Sequence, residues 1–425
     1  MGLTANRITA ESMPSSSTSG KKARIAYLLS QYPAVSHTFF LKEILGLRQI
    51  GFEIEAASVN PPDRAIAKLP SLEAEEAYKT YYLKEVNIWK AIHTLVTITV
   101  VRPRVVLRGL RAAVSLGSWD LHRQIYAFFY MIEALLLGHW MHERALHHLH
   151  VHFGGPVSTV AMLACQAWGF DYSITIHGPE EFYEVDACYL ARKIERAKFI
   201  FCISDFCRSQ LMKYCDPAGW GKMHVVPLGI DTEEFRPVYR EANLPLRIVC
   251  VGRLVPAKGQ HILLRGFSRL RSKGHALQLI FVGDGPDRPS LEREVAEHAL
   301  SNHVTFCGAL NHDRAREQVA QADIFALASF AEGIPVALME AMAMGIPCVS
   351  TIIAGIPELI RDNIDGLLVP ASSVESFSSA IESLVLDQEL RQRLGASARA
   401  RVIEHYNLVD NLKVLASTFE KCFLS

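Results

Sequence analysis

Apolar residues fall into short unbroken runs along this chain, and longer segments with helical spacing separate them. In the first half, Arg24–Leu29, Phe52–Val59, Tyr172–His177, Lys198–Ile203 and His224–Pro227 read as strands. In the second half, Leu246–Val251, Leu277–Val282, Val304–Phe306, Asp323–Ala328 and Pro347–Thr351 do the same. Helical spacing runs from about Phe39 to Ile50, where Gly51 stops it, and again over Leu263, Phe267 and Leu270. Ile334–Met344 reads as a helix with Pro335 in its first turn and Gly345 at its end. Further helices are expected at about Glu375–Leu386, Glu389–His405 and Leu408–Phe423. Strand alternating with helix predicts parallel sheets, with ligands held by the loops at the strand C-termini.

At 425 residues the chain is too long for one comfortable core, so two α/β domains are expected. The first spans 21–238 and the second 246–407, joined by Val238–Pro245. Met1–Gly20, rich in Ser and Thr, reads as a disordered lead-in. Lys and Arg together number 44, as do Asp and Glu, so no overall basic field recruits nucleic acid. The nine cysteines form no CxxC pair, which suggests reduced thiols and a cytoplasmic address. Between Lys68 and Leu149 the pattern is mostly helical. Two apolar stretches there, Ile88–Val101 and Ile125–Trp140, are too short or too interrupted to span a bilayer. Both read as buried helices. A peripheral contact with the inner face of the cytoplasmic membrane is the alternative, since Arg102, Arg104, Arg108 and Arg111 lie between them.

Candidate chemistry sits on the strand-end loops. Glu332 precedes the Ile334 helix and Glu340 lies within it, with seven residues between them. The N-terminus of that helix suits a phosphate, and Gly333 permits close approach of a ligand. Arg253 and Lys258 follow Gly252 on another strand-end loop, where two cations can neutralise a diphosphate. Gly283 and Gly285 make a tight turn after a third strand. His177 ends a strand at Gly178, and acids follow at Glu180 and Glu181, where a helix N-terminus favours them. His150 and His152 share one strand face, but no carboxylate or cysteine stands at ligand spacing, so no metal is expected. Ser36 and His37 lie on the loop after the first strand, where Ser36 or Thr38 could equally cap a helix.

EGIPVALMEAMAMGIPCVST, followed by AGIPE, resembles the donor-binding segment of the family 4 glycosyltransferases, retaining enzymes with the GT-B fold. TIHGPEEFY, the HVHFGG strand, VVPLGIDTEEFRP and VGRLVPAKG resemble further segments of that family in the same order, and SQYPAVSHTFFLKEI resembles the opening of its exopolysaccharide-building branch. The resemblance covers nearly the whole chain from Arg24. It implies two doubly wound Rossmann-like domains facing a cleft, with the last helix, 408–425, crossing back to the first domain. It implies that Glu332 and His177 contact the transferred sugar, that Glu340 meets the ribose, and that Arg253 and Lys258 neutralise the leaving diphosphate. By the same resemblance Gly252, Gly283, Gly285, Gly333, Ile334, Pro335 and Gly355 line the donor site, and Ser36 and His37 border the acceptor. No cofactor is implied. The partners are a nucleotide-sugar donor and a saccharide or lipid-linked oligosaccharide acceptor, with no nucleic acid. Two other readings stay open: a non-hydrolysing nucleotide-sugar epimerase and a non-catalytic nucleotide-sugar-binding protein.

Overall fold

Runs that are apolar at every position make strands buried on both faces, and such strands build the two sheets of the computed structural model, which describes residues 23–34, 38–117, 120–238 and 244–424. The first sheet contains Arg24–Gln31 (β1), Glu53–Asn60 (β2), Tyr81–Tyr82 (β3), His148–His152 (β4), Asp171–Ile176 (β5), Phe199–Cys202 (β6) and Met223–Val225 (β7). The second contains Leu246–Val251 (β8), Leu277–Val282 (β9), Val304–Phe306 (β10), Ile324–Leu327 (β11), Cys348–Thr351 (β12) and Leu367–Val369 (β13). Their orders are β3-β2-β1-β4-β5-β6-β7 and β10-β9-β8-β11-β12-β13, and every pairing is parallel. In both sheets the order reverses beside the first strand. That reversal opens a crevice at the strand C-termini.

The short edge strands β3 and β13 are additions to the sequence reading. Two tyrosines, or Leu-Leu-Val, carry too little pattern to mark a strand without a neighbour to pair with. The helix of the second half begins at Val336, with Pro335 as its N-cap at φ −73° and ψ 118°. Pro335 therefore stands just outside the helix rather than in its first turn. Ser36 and His37 lie outside the described residues.

The expectation for Ile88–Val101 is overturned. It forms a helix, but Ile98 is its one buried residue, and Trp89 is 75 % exposed. The helix lies outermost, against the helices Pro103–Gly117 and Leu121–Glu143, which themselves pack on Pro156–Trp168. Ile125–Trp140 is buried only in part: Ala127, Met131 and Ala134–Gly138 face inward, whereas Ile125, Tyr126, Phe128 and Phe129 face out. No helix among the described residues is long and apolar enough to cross a membrane.

The helix Leu408–Leu424 lies on the first sheet, although it follows the second in sequence. Phe419 is fully buried there, its ring 4.8 Å from Phe201 and 5.1 Å from His150.

Candidate active site

The loops after β8, β9, β11 and β12 gather at one end of the second sheet. The Gly252 N–H donates to the Val282 carbonyl, and the Gly283 N–H to that of Gly308. A Cβ on Gly283 would overlap the Gly252 carbonyl, and one on Gly285 that of Leu254, so these backbones touch where side chains would not fit. Gln260 pins the Arg253 carbonyl at 2.8 Å. The N–H groups of Phe330 and Ala331 both donate to Ala257, which draws the Lys258 loop onto the Glu332 loop. Lys258 Nζ then meets Glu332 Oε1 at 2.6 Å, and Ser329 Oγ donates to the same oxygen at 2.6 Å. Glu332 is buried, so a charged carboxylate here needs these two donors. Thr351 holds the Ser329 carbonyl at 2.7 Å and fixes the loop to β12. Beyond β12, Ala354 sits at φ +46°, a strained conformation for alanine, and the next N–H, of Gly355, donates to Gly333 at 3.2 Å.

Glu340 lies one turn into the helix, half-buried, on the side near His312 and Arg316. Burial pushes its carboxyl up to about 7, against the opposing pull of His312 and Lys42. Its neighbour Glu234 takes His312 at 3.0 Å, Arg316 at 3.0 Å and Lys42 at 2.6 Å. Burial alone would raise Glu234, but the bonds from His312 and Lys42 outweigh it and bring its carboxyl down to about 2.

Facing this end of the second sheet is the end of the first. His177 follows β5 directly and is buried. Its Nε2 lies 3.0 Å from His152 Nδ1, while His152 Nε2 lies 3.1 Å from Glu43 Oε1. Tyr27 donates to that same Glu43 oxygen at 2.9 Å. With Glu43 ionised, His152 donates through Nε2 and accepts at Nδ1, so His177 carries its proton on Nε2. Glu181 does more than favour a helix start. Its two carboxylate oxygens accept the N–H groups of Gly154 and Gly178, at 2.5 Å each, and burial raises its pKa despite those bonds. Lys193, fully buried, donates to the carbonyls of Gly154 and Gly155, and burial lowers it to about 7. These two residues fix the loops that carry His152 and His177. Phe153, at φ +65°, packs its ring at a tilt against His177, with centroids 4.4 Å apart.

The fold supplies a carboxylate near the paired histidines after all: Glu43, His150 and His152 hold ligand-type atoms within 4.8 Å of one another. The residue comes from the helix Thr38–Ile50, a separate element, which sequence spacing does not reveal. Both nitrogens of His150 already meet Ser173 and Thr175, at 2.8 and 3.0 Å, and both of His152 meet His177 and Glu43. Glu43 and His152 thus belong to the hydrogen-bond relay that ends on His177, and His150 is held separately by Ser173 and Thr175.

The two sheet ends meet across the crevice. A Cβ on Gly333 would overlap the His177 carbonyl oxygen. Arg253 approaches Glu180 at 3.5 Å, and Glu358 accepts the N–H groups of Asp205 and Phe206 at 2.8 and 2.7 Å. His177, Lys258, Glu332, Gly333 and Gly355 thus form one cluster. Arg253 stands at its exposed edge, and Glu340 lies toward His312. Glu43, Lys193, Glu234 and Glu358 were not singled out by sequence reasoning, and His152 and Glu181 were noticed without the partners the fold gives them. Of the four, Glu43 left a trace, as a carboxylate on an otherwise apolar helix face.

Two family profiles match the chain in succession: "Glycosyltransferase Family 4" over residues 96–234 and "Glycosyl transferases group 1" over 231–401. The chain belongs to the GT-B glycosyltransferases. Among curated relatives, the amylovoran biosynthesis glycosyltransferase AmsK of Erwinia amylovora is 26 % identical over 411 residues, covering 94 % of this chain and 99 % of that one. The putative colanic acid biosynthesis glycosyltransferase WcaL of Escherichia coli is 27 % identical over 421 residues, covering 93 % and 99 %. Among solved structures, Anabaena HepE in complex with UDP-glucose superposes with a TM-score of 0.68 at 16 % identity, covering 94 % and 99 %. At that identity the likeness speaks for the GT-B fold alone.

Proposed function

We propose that this glycosyltransferase moves a hexose from a UDP- or GDP-linked donor to a hydroxyl of a lipid-linked saccharide during exopolysaccharide biosynthesis, with retention at the anomeric carbon. The observation that carries the reading is the cluster joining Lys258 and Glu332 to His177 across the cleft. The names of AmsK and WcaL, matched over nearly their full lengths, support the product class.

The chemistry asked of the site is to stabilise a diphosphate as it leaves and to hold a sugar that turns oxocarbenium-like. Lys258 and Arg253 carry positive charge at the strand ends, and the N–H groups at the start of Val336–Ala343 point outward from the helix. A donor diphosphate here would draw Lys258 partly from Glu332. That frees the carboxylate to accept sugar hydroxyls. His177, with its tautomer set by the Glu43–His152 relay, orients the sugar from the other side. The bond from the anomeric carbon to the phosphate oxygen breaks, and the acceptor oxygen bonds on the same face. The leaving phosphate oxygen takes the acceptor proton. Glu332 is no nucleophile in this scheme: the acceptor oxygen attacks directly on the face that the phosphate leaves, and no glycosyl-enzyme bond forms. The two cations do the work that a metal does in other transferases, so none is needed.

The test is a thermal-shift and nucleotide-release screen with UDP-glucose, UDP-galactose, UDP-N-acetylglucosamine and GDP-mannose, with and without EDTA. A donor at about a hundred times its Kd stabilises the fold by ~2.7 kcal/mol. One donor giving that shift and slow nucleotide release, insensitive to EDTA, is the expected result. No shift from any donor would overturn the reading.

A further inference from the structure

We propose that the helices between Ile88 and Glu143 form a docking face for an anionic phospholipid bilayer, lying in its plane. The outermost helix, IWKAIHTLVTITVV, has a composition that belongs in a core, yet nearly all of it faces outward. Trp89, Val96 and Val100 are 75, 56 and 74 % exposed. The next helix, Pro103–Gly117, buries Val105, Ala112, Ala113 and Leu116 against the fold and turns Leu107, Leu110 and Val114 outward. The third, Leu121–Glu143, turns Phe128 and Phe129 outward. An exposed apolar surface of this extent on three adjoining helices is not a solvated face.

Charge decides what covers it. Ile88–Gly117 contains Lys90, Arg102, Arg104, Arg108 and Arg111, all exposed, and no Asp or Glu, in a chain whose acids and bases are equal in number overall. Cations interleaved with exposed Trp, Leu and Val suit an interface of anionic headgroups over acyl chains. A second copy of the chain would bring five cations against five. A bilayer answers both features at once, and since no described helix spans one, the contact lies along the surface. Docking would hold the cleft beside a lipid-linked acceptor. That consequence rests on the transfer reading above; the docking itself does not.

The experiment is vesicle co-flotation of the full chain. The vesicles are phosphatidylcholine alone, or phosphatidylcholine with phosphatidylglycerol at about 3:1. The wild type is compared with Trp89→Glu/Val96→Glu/Val100→Glu and with Arg104→Gln/Arg111→Gln. All five positions are exposed and leave the core untouched. The expected result is binding to anionic vesicles about tenfold above neutral ones, weakened by high salt. Either variant loses about tenfold of it and keeps the wild-type Tm and donor-driven nucleotide release. Three results would overturn the proposal: no wild-type binding to anionic vesicles, undiminished binding by the triple variant, or a dimer that the triple variant abolishes in place of lipid binding. Failure of nucleotide release with vesicle binding intact would count against the transfer reading and leave the docking face standing.

Discussion

Gly333→Ala tests whether the closed junction between the two halves is the arrangement that reacts. The backbone at Gly333 is not left-handed, so alanine is acceptable locally. The obstacle is across the cleft. A Cβ would overlap the His177 carbonyl oxygen and stand 3.3 Å from the carbonyl carbon and 3.1 Å from Ile203 Cδ1. Relieving that overlap requires the loops to part by about 1 Å, and a displacement of ~1 Å at a reacting centre costs roughly 10²-fold in rate. The corresponding rise in barrier is ~2.7 kcal/mol. The assay is nucleotide release at saturating donor, with Tm measured alongside. Gly155→Ala is the control, because a Cβ there meets nothing within 4 Å. The expected outcome is a roughly hundredfold loss of kcat for Gly333→Ala, near-wild-type Tm, and an unchanged rate for the control. A Gly333→Ala rate within about threefold of wild type would show that the junction opens without consequence, and the role given to the contact with His177 would fall.

Lys258→Ala or Arg253→Ala should lower kcat by ~10²–10³, read from the same assay, since each removes a cation from the developing diphosphate. Glu43→Gln breaks the charge that sets the His152 and His177 protons, and should lower kcat by about 10²-fold while donor Kd from thermal shift changes little. Glu340 has its folded pKa raised to about 7. The folded chain therefore holds a proton that the unfolded chain has released, and stability falls as pH rises from the ordinary carboxylate range through about 7. Glu340→Gln should remove that component, so its Tm advantage over wild type should grow between pH 5 and pH 8 by about 2–4 °C per kcal/mol, as followed by scanning calorimetry. Phe419→Ala should cost about 3–5 kcal/mol in denaturant melts, because the ring fills the face of the first sheet.

Unbroken apolar runs marked nearly every strand, because burial on both faces leaves no other pattern. Glu332 and Lys258 were legible for a related reason: each sits on a loop between two such runs, so chain order alone places them at one sheet end. The relay behind His177 was not legible. Tyr27, Glu43 and His152 come from a strand, a helix and another strand, and only the packed fold sets them within hydrogen-bond reach. Lys193 was hidden inside a charged run, Ala-Arg-Lys-Ile-Glu-Arg, that reads as solvent-facing. Its burial follows from two loop carbonyls that no local pattern announces. Ile88–Val101 failed in the opposite direction. Hydrophobicity says that water is avoided, but it does not say whether protein or something else takes water's place.

The position of Leu408–Leu424 bears on how the chain is born. β1 to β7 leave the ribosome first, but the face holding His150, Phe199 and Phe201 stays uncovered until Phe419 and Phe423 arrive. About 180 residues separate β7 from that helix, which at 5–20 residues per second is roughly 9–36 s of synthesis. Through that interval the nascent first half carries an open aromatic surface, one that chaperones can hold and that a premature stop would leave bare. That late helix thus completes the first domain: without it the first sheet is synthesised but not sealed.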